Sequence, residues 1–230
     1  MSELDPAGPP MAVIVKEPRQ GRTDGPSRCL VLDAAFNPPT LAHWELAMSG
    51  AQASNADWVL VQLSSVNVDK EVSGADLGQR LYMLDHIASE DDRVGLSVCS
   101  HARFIDKAEA LSKVAQNTQF IFAIGYDTLV RLFDPKYYSN IEEELETLFG
   151  MAEFVVANRG EHDAGTLEAY LNKKPASSHR NNIHQVILPQ NLADVSSSRT
   201  RELIGAGKPF AHCVPRGLPE LITTMGLYKK

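Results

Sequence analysis

The chain alternates continuous apolar runs with segments of helical spacing, and this alternation constrains its fold more than any other feature. The apolar runs are RCLVLDAAF, ADWVLVQLS, VGLSVC, TQFIFAIG, EFVVANR and HQVILP. Unbroken runs of this kind suit strands buried on both faces, as in a parallel sheet. Helices are predicted between them over 41–53, 77–89, 106–116, 127–133, 139–149 and 166–172, and after them over 198–206 and 217–226. In the second helix, Leu77, Leu81, Leu84 and Ile87 recur at helical spacing. Strand alternating with helix predicts an α/β fold with a doubly wound parallel sheet in a single domain. Residues 1–26, rich in Pro and Gly, are expected to form a flexible N-terminal tail with a short strand at 11–15, leaving 27–230 as the domain. Segments 134–150 and 172–183 read as insertions. Sheets of this type bind ligands outside the carboxyl ends of their strands, so the loops after the strands are where chemistry is expected.

A chain of 230 residues can bury one sizeable core. Its net charge of -7 argues against a general nucleic-acid binder but leaves room for a local basic pocket. No apolar run approaches the roughly 18 residues of a membrane-spanning helix. The start MSELDPAGPP lacks the apolar core of a secretory signal. Cys29, Cys99 and Cys213 are odd in number and far apart, which suggests a reducing compartment and neither a disulfide nor a zinc framework. The expectation is an intracellular protein, cytoplasmic or nuclear, with no nucleic-acid or membrane partner.

Two loops after predicted strands break the same local rule. In FNPPTLAH, residues 36–43, Thr40 is a good helix N-cap, which puts His43 at the third helical position. That position ordinarily holds Glu or Gln, which reaches back to the cap. The helix start carries about half a positive charge, so a cation is disfavoured there. In DVSSSRTREL, residues 194–203, a cap at Ser198 would put Arg201 at the same position. Read singly, His43 could be a half-buried structural histidine and SSSRTREL a solvated helix start. Together they point to an anion. Backbone N–H groups at a helix start bind phosphate, and a cationic side chain one turn in adds charge to the same group. Local rules tend to be broken at functional sites.

These residues resemble a known family. FNPPTLAH resembles the [T/H]-x-x-H signature of the nucleotidylyltransferases, and VSSSRTREL their C-terminal Ser-Ser-Thr-x-x-Arg signature. IGYD at 124–127 is similar to the Gly-x-Asp element of the nicotinamide and nicotinate mononucleotide adenylyltransferases. FDPKYY at 133–138 is similar to a fungal-type branch of that group, and VVANRG at 155–160 resembles the strand and arginine before its last sheet elements. The resemblance covers about 28–226 and keeps the motif order. It implies a Rossmann-like nucleotidylyltransferase fold and an enzyme that joins ATP to nicotinamide or nicotinate mononucleotide, giving an NAD-type dinucleotide and pyrophosphate.

Carried over by position, the resemblance implies that the backbone at Ala35 and Phe36 approaches the phosphates and that Asn37 shapes the loop. Thr40 and His43 would contact the ATP phosphates. Gly125 and Asp127 would line the ribose and adenine side, and Ser197, Ser198 and Arg201 would hold the β- and γ-phosphates. Lys70, Arg80 and Arg159 would serve the second substrate. His43, Thr40 and Arg201 are the expected catalytic set, with His43 protonated beside phosphate. Mg2+ would arrive mainly through the ATP phosphates, with no dedicated protein metal site. Self-association is left open. The chain departs from the family at Ala34 and Ala42, where Gly is usual, and at Ser198, where Thr is usual.

Two alternatives share the fold: transfer to another phosphate acceptor, and an ATP-binding or ATP-hydrolysing regulatory protein. Other features read as structural. His179 and His184 lack usual metal-pair spacing. EEELE at 142–146 reads as a solvated helix face, Trp44 and Trp58 as core, and Tyr126 as core or a stacking ring. Neither a Walker A loop nor G-x-G-x-x-G occurs.

Overall fold

A computed structural model describes residues 4–64, 74–158 and 164–229. The strands are β1 (Ala12–Lys16), β2 (Ser27–Asp33), β3 (Trp58–Ser64), β4 (Val94–Cys99), β5 (Thr118–Gly125), β6 (Ala152–Ala157) and β7 (Ile183–Val186). The α-helices are α1 (Leu41–Ala53), α2 (Leu77–Ala88), α3 (Phe104–Val114), α4 (Tyr126–Leu132), α5 (Ile141–Met151), α6 (Ala164–Leu171), α7 (Gln190–Ala193), α8 (Ser197–Gly205) and α9 (Leu218–Thr224). The strands form one sheet in the order β1-β4-β3-β2-β5-β6-β7. Neighbours are parallel except β1 with β4. The chain therefore starts its parallel sheet at the centre with β2, winds outward through β3 and β4, and returns to the other side of β2 with β5. The switch between β2 and β5 opens a crevice at the carboxyl edge of the sheet.

The unbroken apolar runs lie where burial on both faces requires them. Alternate residues of β2 enter opposite cores: Leu30 and Leu32 pack with α1, α2 and α9, while Cys29 and Val31 pack with α3, α5 and α6. Both β3 and β4 are buried along their whole length. Asp76 and Gln79 form a reciprocal cap that starts α2. Asn140 caps α5, and Glu142, Glu143 and Glu144 occupy its first turn, where the helix dipole favours negative charge.

The N-terminal segment carries the expected short strand and packs on the domain through it. Residues 12–16 form an edge strand antiparallel to β4, pairing Ala12 with Cys99 and Val13 with Val98. The amides of Arg19 and Gln20 donate to the Asp92 carbonyl at 2.7 and 3.0 Å. Arg22 lies over the Trp58 ring, 5.5 Å from its centroid. The segment therefore joins the domain instead of trailing from it, because the short MAVIV run supplies one more strand to an otherwise open sheet edge. Within the two expected insertions, 3-10 helices form at Pro135–Tyr137 and Ala176–Asn182.

Candidate active site

The turn from β2 into α1 is locally strained. Phe36 holds φ at 46°, in the left-handed region that bulky residues avoid. Its ring is 2% exposed and packs 5.1 Å from the His43 ring. Asn37 is buried, and its side-chain oxygen accepts from the Ala75 amide at 3.2 Å. Arg80 donates to the Ala35 carbonyl at 3.0 Å. The loop is thus held from behind by two buried polar side chains.

Thr40 caps α1, accepting from the His43 amide at 3.3 Å. The third-position histidine completes the cap: the Thr40 amide donates to His43 Nδ1 at 3.1 Å, and Thr40 Oγ1 lies 2.8 Å from the same nitrogen. An amide can only donate, so Nδ1 must present its lone pair, and the proton of the neutral ring resides on Nε2. His43 therefore stands in for the usual Gln at the third helical position, accepting through Nδ1.

The second motif also shifts. Ser196, not Ser198, caps α8 and accepts from the Arg199 amide at 3.2 Å. Arg199 takes the third helical position and pairs with Glu202 at 3.0 Å on the surface. Arg201 falls two positions further into the helix. In this register Thr200 is fully buried, and Ser197 and Arg201 turn toward the first motif. Ser197 Oγ donates to the Pro38 carbonyl at 2.7 Å, Arg201 donates to the Asn37 carbonyl at 2.6 Å, and Arg201 also reaches Ser198 Oγ at 3.3 Å. Two helix starts far apart in the chain are thereby tied side by side.

Both line a cavity of about 710 Å3 over the switch between β2 and β5. Its wall includes Ala35, Asn37, Thr40, His43, Ser197, Ser198 and Arg201, with Gly125 on the β5 side. Arg103, Lys107 and Arg131 also line it, and Asp33 is the one carboxylate among the described lining residues. A chain of net charge -7 thus holds a locally cationic cleft suited to a polyphosphate.

Other expected site residues fare differently. Asp127 is exposed in the first turn of α4 and is not part of the wall, because helical spacing places Thr128 and Arg131 there instead. Arg80 does not line the cavity. It is 5% exposed, and burial draws its guanidinium below the usual range against the opposing pull of Tyr228 and Asp76. Its bond to the Ala35 carbonyl makes it a positioning residue for the loop. Lys70 and Arg159 lie outside the described residues.

Sequence reasoning missed Asp33, Ser64, Lys107 and Asn158, all on the wall. Lys107 Nζ lies 2.6 Å from Asp33 Oδ2, and Ser64 Oγ donates to Asp33 Oδ1 at 2.9 Å. A signal existed: Asp33, Ser64 and Asn158 each end or follow an apolar strand run, at the edge where such sheets bind ligands. Lys107 shares the apolar face of α3 with Phe104 and Leu111 at helical spacing.

The residues read as structural stay so. Trp58 is fully buried, and Trp44 packs on the core around α1. Tyr126 meets Tyr170 edge to face at 5.8 Å. His179 stacks on Phe149 at 4.3 Å, and His184 pairs with Glu153 at 2.8 Å. Glu144 of the acidic run forms an ion pair with Arg103. Among the described residues, no cluster of three or more His, Cys, Asp or Glu is arranged to hold a metal ion.

Comparison with known proteins agrees with this arrangement. Residues 31–203 match the model of the family described as cytidylyltransferase-like. The chain is 31% identical over 192 residues to a Schizosaccharomyces pombe protein named as a nicotinamide mononucleotide adenylyltransferase, covering 77% of this chain and 76% of that one. It is 26% identical over 206 residues to a Streptococcus pyogenes protein named as a nicotinate-nucleotide adenylyltransferase, covering 86% and 87%. Its fold matches that of Plasmodium falciparum nicotinic acid mononucleotide adenylyltransferase complexed with NaAD, with a TM-score of 0.65 at 14% identity over 88% of this chain and 97% of the other. With its two helix-start motifs joined over the sheet switch, this chain belongs to the cytidylyltransferase-like family, among the pyridine mononucleotide adenylyltransferases.

Proposed function

We propose that the chain transfers the adenylyl group of ATP to nicotinamide or nicotinate mononucleotide, forming the dinucleotide and releasing pyrophosphate. The observation that carries this reading is the tie between the two motifs, through Ser197 to the Pro38 carbonyl and Arg201 to the Asn37 carbonyl. It sets two helix starts and an arginine on one wall of a cationic cavity. The mononucleotide phosphate is already an anion near neutral pH, so the reaction needs no protein nucleophile and no general base. Positioning and charge stabilisation suffice. Nε2–H of His43 and the guanidinium of Arg201 are the donors that meet charge developing on the phosphates. Mg2+ enters as part of the substrate Mg-ATP. Asp33, the one carboxylate among the described lining residues, is engaged by Lys107.

No helix among the described residues is long and apolar enough to cross a membrane. The buried free thiols of Cys29, Cys99 and Cys213 support a reducing, cytoplasmic or nuclear setting.

One feature favours a second reading. Ala34 and Ala35 both line the cavity, and a Cβ at Ala34 limits how closely backbone approaches phosphate. An ATP-binding or ATP-hydrolysing regulatory protein would tolerate that. Pyrophosphate release from Mg-ATP, measured with each mononucleotide and with neither, separates the two. Release that requires a pyridine mononucleotide is expected and also identifies the amide or acid preference. Phosphate release without an acceptor, or ATP binding without turnover, would overturn transfer.

A further inference from the structure

The cavity has two walls. One comes from the layer of α1 and α8 and carries Thr40, His43, Ser197 and Arg201. The other comes from the layer of α3 and α4 and carries Lys107 and Arg131. Lys107 is 3% exposed, yet it lines the cavity. Asp33 holds its ammonium at 2.6 Å, Ser64 fixes the far oxygen of that carboxylate at 2.9 Å, and the Phe104 ring lies 5.1 Å from Nζ. Among the described residues Asp33 is its only hydrogen-bond acceptor, while an ammonium carries three donors. A buried ion pair is costly to desolvate, and a neutral pair of similar volume often serves stability as well. Stability alone therefore does not account for a charged pair facing this cavity.

In-line displacement at phosphorus puts the attacking and leaving oxygens on opposite sides of the reacting atom. With the pyrophosphate of ATP on the wall of α1 and α8, the attacking phosphate approaches from the wall of α3. We propose that Lys107, positioned by Asp33 and Ser64, binds the phosphate of the acceptor mononucleotide and aims its oxygen at the α-phosphorus of ATP. The inference rests on the adenylyl-transfer reading. In the step, a bond forms between that oxygen and the α-phosphorus. The bond from the α-phosphorus to the bridging oxygen breaks, and its electron pair leaves with pyrophosphate. Lys107 keeps its protons throughout.

The test compares wild type with Lys107→Met and with the double variant Asp33→Asn/Lys107→Met, reading kcat, the KM of each substrate and the thermal midpoint. Both variants should raise the mononucleotide KM about tenfold or more and lower kcat, with the ATP KM within about twofold of wild type. The double variant removes the unpaired Asp33 charge, so its thermal midpoint should recover while its kinetics do not. If Lys107→Met fails to fold, the double variant carries the test. Wild-type kinetics in the double variant would make the pair structural and overturn the proposal. A rise confined to the ATP KM would reassign Lys107 to the nucleotide and also overturn it. Failure of the wild type itself to form dinucleotide would bring down the transfer reading and this inference together. An active wild type with an unaffected variant removes only Lys107.

Discussion

His43 serves two roles with two nitrogens. Nδ1 completes the cap of α1 through the Thr40 amide, and in the proposed reaction Nε2 is the donor on the cavity wall. These roles can be separated by substitution. In His43→Gln, a side-chain amide oxygen can still accept from the Thr40 amide, so the fold should hold with a thermal midpoint near that of wild type. The donor then no longer sits where the ring placed it, and kcat should fall about 100-fold, the usual scale for removing one preorganised donor. His43→Ala should lose both. Wild-type turnover in His43→Gln, measured as pyrophosphate release, would show that the ring is a cap and nothing more.

At the scale of the element, α8 matters through its register. Ser196 is the cap, so Ser197 and Arg201 face the β2–α1 turn while Arg199 faces solvent. Arg201 bonds the carbonyl of Asn37 and can still offer N–H groups to a ligand, because guanidinium carries five donors. Arg201→Ala should raise the KM for ATP roughly tenfold or more, the scale of a lost charge-assisted hydrogen bond, with a smaller effect on the KM of the mononucleotide. Arg199→Ala, on the same helix, should change neither. An unchanged ATP KM in Arg201→Ala would remove α8 from the phosphate site.

At the scale of the whole molecule, the amino edge of the sheet is clamped by Glu153 of β6. It binds Arg28 of β2 at 2.9 Å and His184 of β7 at 2.8 Å. Burial pushes its carboxyl up, but the hydrogen bonds and charges of Arg28 and His184 outweigh burial and hold it below the ordinary value of 4.5. A carboxyl with a depressed folded-state pKa contributes stability that is fully present above its unfolded value and lost as pH falls through the folded one. Glu153→Gln should therefore lower the thermal midpoint at neutral pH, and its deficit should shrink as pH drops below about 4.5. Thermal melts of both proteins from neutral to acid pH check this. A deficit independent of pH would mean that packing, not charge, is lost.

The alternation of apolar runs and helical spacing determined the parallel sheet, because a strand buried on both faces leaves no other pattern. The apolar runs also determined that FNPPTLAH follows a buried strand, at the edge where such sheets bind ligands, whereas SSSRTREL follows the short helix α7 beyond the half-buried edge strand β7. Three things were decided only by tertiary structure. The cap of α8 lies two residues earlier than local chemistry suggests, since several serines in a row can each cap and only the burial of Thr200 selects among them. Arg80 and Asp127 are not on the cavity wall, because which side of a helix meets a crevice depends on how that helix packs. The Asp33–Lys107 pair joins residues 74 positions apart. No local spacing encodes such a pair; it exists because the winding of the sheet carries α3 back over the end of β2.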